Sequence, residues 1–201
     1  MHIPTHIMSG WCVANLFDLT PRERLFSMIA ATAADCDGVG WIFGDEAYWR
    51  LHHLAGHNAF FGILASMALA AFSMHRAKSF VIYLALFHLH LLMDSFGSGP
   101  DWGISYFWPI QVKWWINPHA WAFFSSWQNI TTAGVLLLWT LVIAATNGRT
   151  PLEMITPDLD RRLVAWVRKY ARHSGGSQAA PPPVPSSAST SSSAPRLYDK
   201  M

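Results

Sequence analysis

The chain has 201 residues, of which 52% are hydrophobic and only 13% charged, and its mean hydropathy is +0.21. That balance excludes an ordinary soluble domain and fits a small protein with several membrane-embedded segments. A net charge of +2 gives no field for nucleic acid, and two cysteines, Cys12 and Cys36, are too few for a disulfide scaffold.

The first ten residues, MHIPTHIMSG, lack a basic stretch, so no cleavable signal peptide is expected. An apolar segment at 5–19 starts with His6. Thr20-Pro21 reads as an N-cap and first helical position, opening a helix expected to reach Ala34. Residues 38–51 read as a loop rich in Gly and aromatics. His52, His53 and His57 open an apolar helix over 57–74, a short basic loop follows, and a further helix runs over about 79–97. Residues 98–128 form a long loop carrying Trp102, Trp108, Trp114, Trp115, Trp121 and Trp127, which suits an aromatic belt at a membrane interface or a lid. The last strong apolar run is 130–146.

Thr156-Pro157-Asp158 then caps an amphipathic helix to about Arg172. Leu159, Leu163, Trp166, Val167 and Tyr170 fall on its apolar face, and it is expected to lie on the membrane surface. Residues 174–201, mostly Ser, Pro, Ala and Gly, cannot bury a core and read as a disordered tail. The expected fold is therefore all-α: an integral membrane bundle of about five helices over 1–148, a juxtamembrane helix over 149–173, and the tail. Only 57–74, 79–97 and 130–146 approach the roughly 20 apolar residues of a full span, so the first two helices are tilted or end at a site sunk below the surface.

With five crossings, twelve of the fourteen Lys and Arg fall on one side, and only Arg50 and Lys113 on the other. The positive-inside rule makes the basic side, with the C-terminus, cytoplasmic in a bacterial inner membrane. His6, Asp35, Asp37, His52, His53, His57, His90, Asp94 and Asn129 then all fall at the opposite, periplasmic end. His90 and Asp94 are four apart and share a helix face, as would His53 and His57. Asp35 and Asp37 can turn both carboxylates to one ion, or one to an ion and one to a histidine behind it. Three or four imidazoles with two or three carboxylates describe a site for one or two divalent metals, Zn foremost, with Mn or Fe as alternatives. Such a site suits hydrolysis of an ester or phosphoester, with a spare carboxylate such as Asp35 as general base. The mostly apolar mouth favours membrane lipid as substrate over a soluble small molecule. Nothing in the sequence fixes the oligomeric state.

The order His6, Asp35-x-Asp37, His52-x4-His57, His90-x3-Asp94, then Phe107-Trp108-Pro109, resembles the bacterial membrane-bound metal-dependent hydrolases of the YdjM-like, LexA-regulated inner-membrane type. That family is in turn similar to zinc-dependent phospholipase C. The resemblance covers roughly residues 1–145 and implies a multi-helix inner-membrane protein with a divalent-metal site. It implies Asp37, His57, His90 and Asp94 as ligands, with His6 on a second metal. The chain departs from the family where Pro-Asp-x-Asp-His becomes Ala34-Asp35-Cys36-Asp37-Gly38. It departs again where His-Arg-Gly-x-Thr-His becomes 52–57, HHLAGH, which leaves either His52 or His53 as the ligand. Two other readings stand beside the hydrolase: a non-catalytic metal-binding or scaffold protein of the membrane, and a b-type haem protein using His57 and His90.

Overall fold

Helix α1 (Ile3–Ala14) carries a proline in its first turn, where the missing N–H has no helical partner to lose. A capping box opens α2 (Pro21–Ala30). The Glu23 N–H donates to Thr20 Oγ1 at 3.2 Å, and the Thr20 N–H donates to Glu23 Oε2 at 2.9 Å. The protein is a computed structural model that describes residues 1–122 and 126–174. Among these residues it is all helical, with one isolated bridge between Ile104 and Trp115 and no strand.

The helix expected to reach Ala34 stops at Ala30, and the chain tightens into a 3-10 segment, Ala33–Phe43. Asp35, Asp37, Gly38 and Gly40 explain the change: short carboxylates compete for backbone groups and glycine weakens an α-helix. A short helix, α3 (Asp45–Leu51), follows where a loop is expected, with Asp45 and Glu46 in its first turn. Asn58 caps α4 (Ala59–Ala71), its Oδ1 accepting the Phe61 N–H at 2.9 Å, so the helix begins after His57 rather than at it. Helix α5 (Arg76–Gly97) carries His90 and Asp94. Helix α6 (Trp127–Asn147) follows the Trp-rich stretch, and α7 (Pro157–Ser174) starts at the expected Thr156-Pro157. The tail lies, from residue 175, outside the described residues.

Helices α1, α2, α4 and α5 pack around small side chains, with Ala14, Ala30, Ala31 and Ala70 buried beside Ile82, Tyr83 and Leu86. A Cβ on Gly10 would come within 2.8 Å of both Ala31 Cβ and the Ser27 carbonyl, so glycine there is what lets α1 lie this close to α2. Helices α5 and α6 are long and apolar enough to cross a bilayer. On α6 the apolar side chains face outward: Val135, Leu137, Leu138 and Val142 are all at least half exposed. A water-exposed patch of that kind is rare on a soluble protein. Helices α1, α2 and α4, of 12, 10 and 13 residues, reach only about 15–20 Å at the usual helical rise.

Candidate metal centre

Alternating helix directions bring the start of α1, the end of α2, the entry to α4 and the end of α5 to one end of the bundle. There His90, Asp94, His57 and Asp35 each place one ligand atom within 4.8 Å of all the others. Asp94 and the two imidazoles are buried, and Asp35 is half-buried. His90 Nε2 lies 3.1 Å from Asp94 Oδ2, the single-turn contact that the i, i+4 spacing requires. His57 Nε2 is 3.3 Å from the same oxygen and 3.3 Å from His90 Nε2, while Asp35 Oδ1 is 3.6 Å from His90 Nε2.

The tautomers follow from what stands behind each ring. His90 Nδ1 faces the Ala31 carbonyl at 2.7 Å, and a carbonyl only accepts, so Nδ1 carries the proton. His57 Nδ1 faces Asp37 Oδ2 at 2.9 Å and carries its proton for the same reason. With Nδ1 so occupied, Nε2 is the nitrogen that each ring turns to the cluster. Two Nε2 atoms and two carboxylate oxygens thus converge, a donor set that a cation, whether a proton or a metal ion, stabilises. Three atoms at the site are buried with no hydrogen-bond partner in the protein: His6 Nδ1, His53 Nδ1 and Asp35 Oδ2. A nitrogen–oxygen donor set of this kind fits Zn, and Mn or Fe as well.

The remaining residues stand around these four. His6 donates from Nε2 to Asp94 Oδ1 at 3.0 Å and stacks on His90 at 3.9 Å between ring centroids. The Met1 nitrogen also hydrogen-bonds Asp94 Oδ1 and, at 2.9 Å, Ser98 Oγ. Asp37 faces away from the four-atom cluster. Its Oδ1 meets His52 Nδ1 at 2.8 Å, and its Oδ2 accepts from His57 and, at 3.0 Å, from the Gly56 N–H. This is a carboxylate that orients a histidine. Burial pushes the Asp37 carboxyl up, but the hydrogen bonds from His52 and His57 outweigh it and hold it well below the usual carboxylate range. Burial lowers His57, yet its bonds to Asp37 and Asp94 raise it to about 9.

His53 and His57 do not share a helix face. Both precede α4, and His53 sits in the left-handed region at φ 67°. The irregular turn still brings their rings to 4.3 Å, and His52, His53 and His57 form a second group with ligand atoms mutually within 4.8 Å. His53 Nε2 is 3.9 Å from Asp94 Oδ2, and burial, with the neighbouring His57 charge, pushes His53 down to about 2, so it stays a neutral donor of electrons. Glycine at 56 is required by this turn: a Cβ there would come within 2.1 Å of the Ala34 carbonyl and 3.2 Å of Asp37 Cγ. Asn129 donates from Nδ2 to the Gly97 carbonyl at 3.0 Å and stays outside the cluster.

A cavity of about 540 Å³ opens on these residues, lined by Asp35, Asp94, His52, His53, Trp102 and Tyr48 among others. Tyr48 and Ser98 carry no spacing signal in the sequence, because a loop is read around the first and the second lies past the end of its helix. Cys36 is exposed and joins neither ligand group among the described residues.

A model of the YdjM inner membrane protein family matches residues 1–170. No curated protein and no solved structure matches the chain.

Proposed function

We propose that this chain, which belongs to the YdjM inner membrane protein family, is a multi-pass membrane hydrolase that uses one or two divalent metals on an ester or phosphoester. The observation that carries the reading is the meeting of the Nε2 atoms of His57 and His90 at 3.3 Å over the Asp94 carboxylate. Asp94, His90, His57 and Asp35 would hold the ion, and a second ion would sit towards His52 and His53. Zinc suits the mixed nitrogen and oxygen set first. A divalent cation there would supply Lewis acidity to the ester or phosphoester oxygen and make water easier to deprotonate. Asp37 fixes the His57 tautomer, and His6 fixes the orientation of Asp94. Asp35 keeps Oδ2 without a partner, so that oxygen takes the proton from the attacking water. The cavity faces the periplasm and the basic C-terminal region the cytoplasm, as the distribution of Lys and Arg favours.

The burial of the ligands favours a second reading, a metal held for structure without turnover, because structural sites are closed. A haem between His57 and His90 finds no space, with Asp94 Oδ2 within 3.3 Å of both nitrogens.

The experiment is metal content by mass spectrometry on detergent-purified protein beside His90→Ala and Asp94→Ala, with hydrolysis of phospholipid and ester substrates followed before and after EDTA. Stoichiometric metal lost in both variants, with turnover that EDTA abolishes and added metal restores, is the expected outcome. Metal without turnover on any substrate supports the structural reading. A metal-free wild type that takes up none on reconstitution ends both.

A further inference from the structure

On the flank of α5 away from the His90–Asp94 face lies a groove of about 600 Å³, lined by Leu91, Leu92, Ile104, Phe107, Trp115 and Ile116. Its few polar atoms are largely spent on one another or on backbone. His88 Nε2 and the Tyr106 hydroxyl meet at 2.7 Å, His88 Nδ1 meets the Leu84 carbonyl at 2.8 Å, and Ser95 donates to the Leu92 carbonyl at 2.7 Å. Leu92, Trp115 and Ile116 are each more than half exposed. The groove offers an occupant dispersion contacts and almost nothing else. Helix α5 is long and apolar enough to span a bilayer, and the chain belongs to an inner membrane protein family, so an apolar groove on this flank suits hydrocarbon better than water.

The groove also borders a space that adjoins the candidate metal centre. Ile116 lines it and lines a second space of about 270 Å³ together with His52, His53 and Trp102. Those three residues line the larger cavity that contains Asp35 and Asp94. The partition between the spaces is a fixed hairpin: Ile104 and Trp115 exchange backbone hydrogen bonds at 3.0 and 2.9 Å, and the Ser105 N–H reaches the His53 carbonyl at 3.4 Å. One continuous element thus joins the apolar groove to the histidine turn. Among the described residues no Lys or Arg lines any of the three spaces, the Met1 ammonium in the larger one is paired with Asp94, and Asp101 lines the middle one, so the lining offers no unpaired cation to a net negative headgroup.

We propose that the groove seats an acyl chain of a zwitterionic membrane phospholipid, whose headgroup ester reaches the His/Asp cluster past Ile116 and Trp102. The inference rests on the hydrolase reading for the fate of the headgroup, and on the groove alone for the seat of the chain. The acyl chain is held by Leu91, Leu92, Phe107 and Trp115, and the ester is thereby delivered at the depth of Asp94.

The test is photo-crosslinking of the full chain in vesicles of phosphatidylethanolamine that carries a diazirine midway along one acyl chain. Adducts are mapped by peptide mass spectrometry. In the wild type they should concentrate on residues 91–116. Leu92→Trp, at an exposed position, and Ser95→Trp should fill the groove and cut those adducts about tenfold, the loss of a few buried methylene contacts. Adducts spread evenly over the outward faces of α4, α5 and α6, or unmoved by both variants, overturn the proposal by showing ordinary surrounding lipid. Crosslinking needs no turnover, so a failed groove and a failed hydrolase give separate results: the second is read from metal content and EDTA-dependent hydrolysis.

Discussion

At the Glu23 end of the bundle the buried charges sit in a closed network of protein partners, whereas at the Asp94 end, where the Met1 ammonium and His6 meet only one carboxylate oxygen, buried polar atoms are left over. Glu23 Oε1 accepts from the Met74 and His75 N–H groups and from Ser79 Oγ at 3.1–3.3 Å, and Oε2 accepts from the N–H and hydroxyl of Thr20 at 2.9 Å. Arg24 pairs with both oxygens of Glu153 at 2.6 and 2.9 Å and donates also to the Leu19 carbonyl. Asp160 takes the N–H and the hydroxyl of Thr150. That network closes, tying α2 to the start of α5 and to the segment before α7. Around Asp94 three buried polar atoms, His6 Nδ1, His53 Nδ1 and Asp35 Oδ2, have no partner in the protein. Most buried polar groups that serve only the fold are satisfied. The contrast separates a closed structural network from a cluster that could hold a metal ion.

The largest expected effect tests the open end. If a cation completes it, EDTA should lower the apparent stability of the wild type by about 4 kcal/mol or more, the linkage for a ligand a thousandfold above its dissociation constant. Thermal melts in detergent would show this as a clear fall in Tm. Asp94→Asn should melt at the same temperature with and without EDTA, because it has no site left to empty. A wild-type Tm indifferent to EDTA would make the two ends alike.

Next comes the closed end. Glu23→Gln replaces an acceptor by a donor facing three N–H groups and two hydroxyls, and should cost about 2–3 kcal/mol while leaving metal content unchanged. Burial pushes the Glu23 carboxyl up, but its hydrogen bonds from Thr20, His75 and Ser79 prevail and bring it from 4.5 to about 2. A folded-state value below the unfolded one means that the stabilisation is complete above about pH 4.5 and is lost as the pH falls towards 2. The acid limb of the wild-type stability curve over that window should flatten in Glu23→Gln. An unaltered limb would show that the carboxylate network contributes nothing.

How far the sequence shows these two ends depends on which distances are local. The i, i+4 pair His90 and Asp94 needs only an α-helix, and the Thr20-Pro21 start and the α7 start need only a cap, so all three are legible. The convergence of His6, Asp35, His57 and Asp94 is legible too, because alternating helices turn sequence position into depth. The division of labour between Asp35 and Asp37 is not. It is set by a 3-10 segment whose tighter turn sends Asp35 to His90 and Asp37 behind His57, and an α-helical or loop reading of the same residues leaves both open. The histidine turn misleads for the reverse reason: His53 and His57 have helical spacing, but Asn58 is the better cap and starts the helix after them. Glu23 is overlooked because its partners at 74, 75 and 79 lie far along the chain, although the Thr20–Glu23 spacing is a capping box in plain view.

That division of labour gives a smaller effect to measure. Asp37 touches no ligand atom of the four-atom cluster except through His57, so Asp37→Asn should keep the fold and weaken metal affinity about 10–100-fold, the usual loss when an orienting carboxylate is removed. A competition titration against a chelating dye reads it directly. Complete loss of metal, as in Asp94→Ala, would make Asp37 a ligand.

The smallest effect belongs to the exposed pair nearest the metal end, Arg50 and Glu46, whose side chains meet at 2.9 Å on α3 while both remain more than three-quarters exposed. Water screens such a pair and two long side chains lose freedom to form it, so Arg50→Ala should change stability by less than about 1 kcal/mol. Metal content should not move at all. A single exposed cation such as Arg50 adds little field against the charge of the donors themselves. If Arg50→Ala were to change metal affinity tenfold, α3 would be coupled to the histidine turn through Tyr48 and His52, whose rings stack at 4.7 Å. The boundary of the open end would then have to be drawn to include the whole of α3.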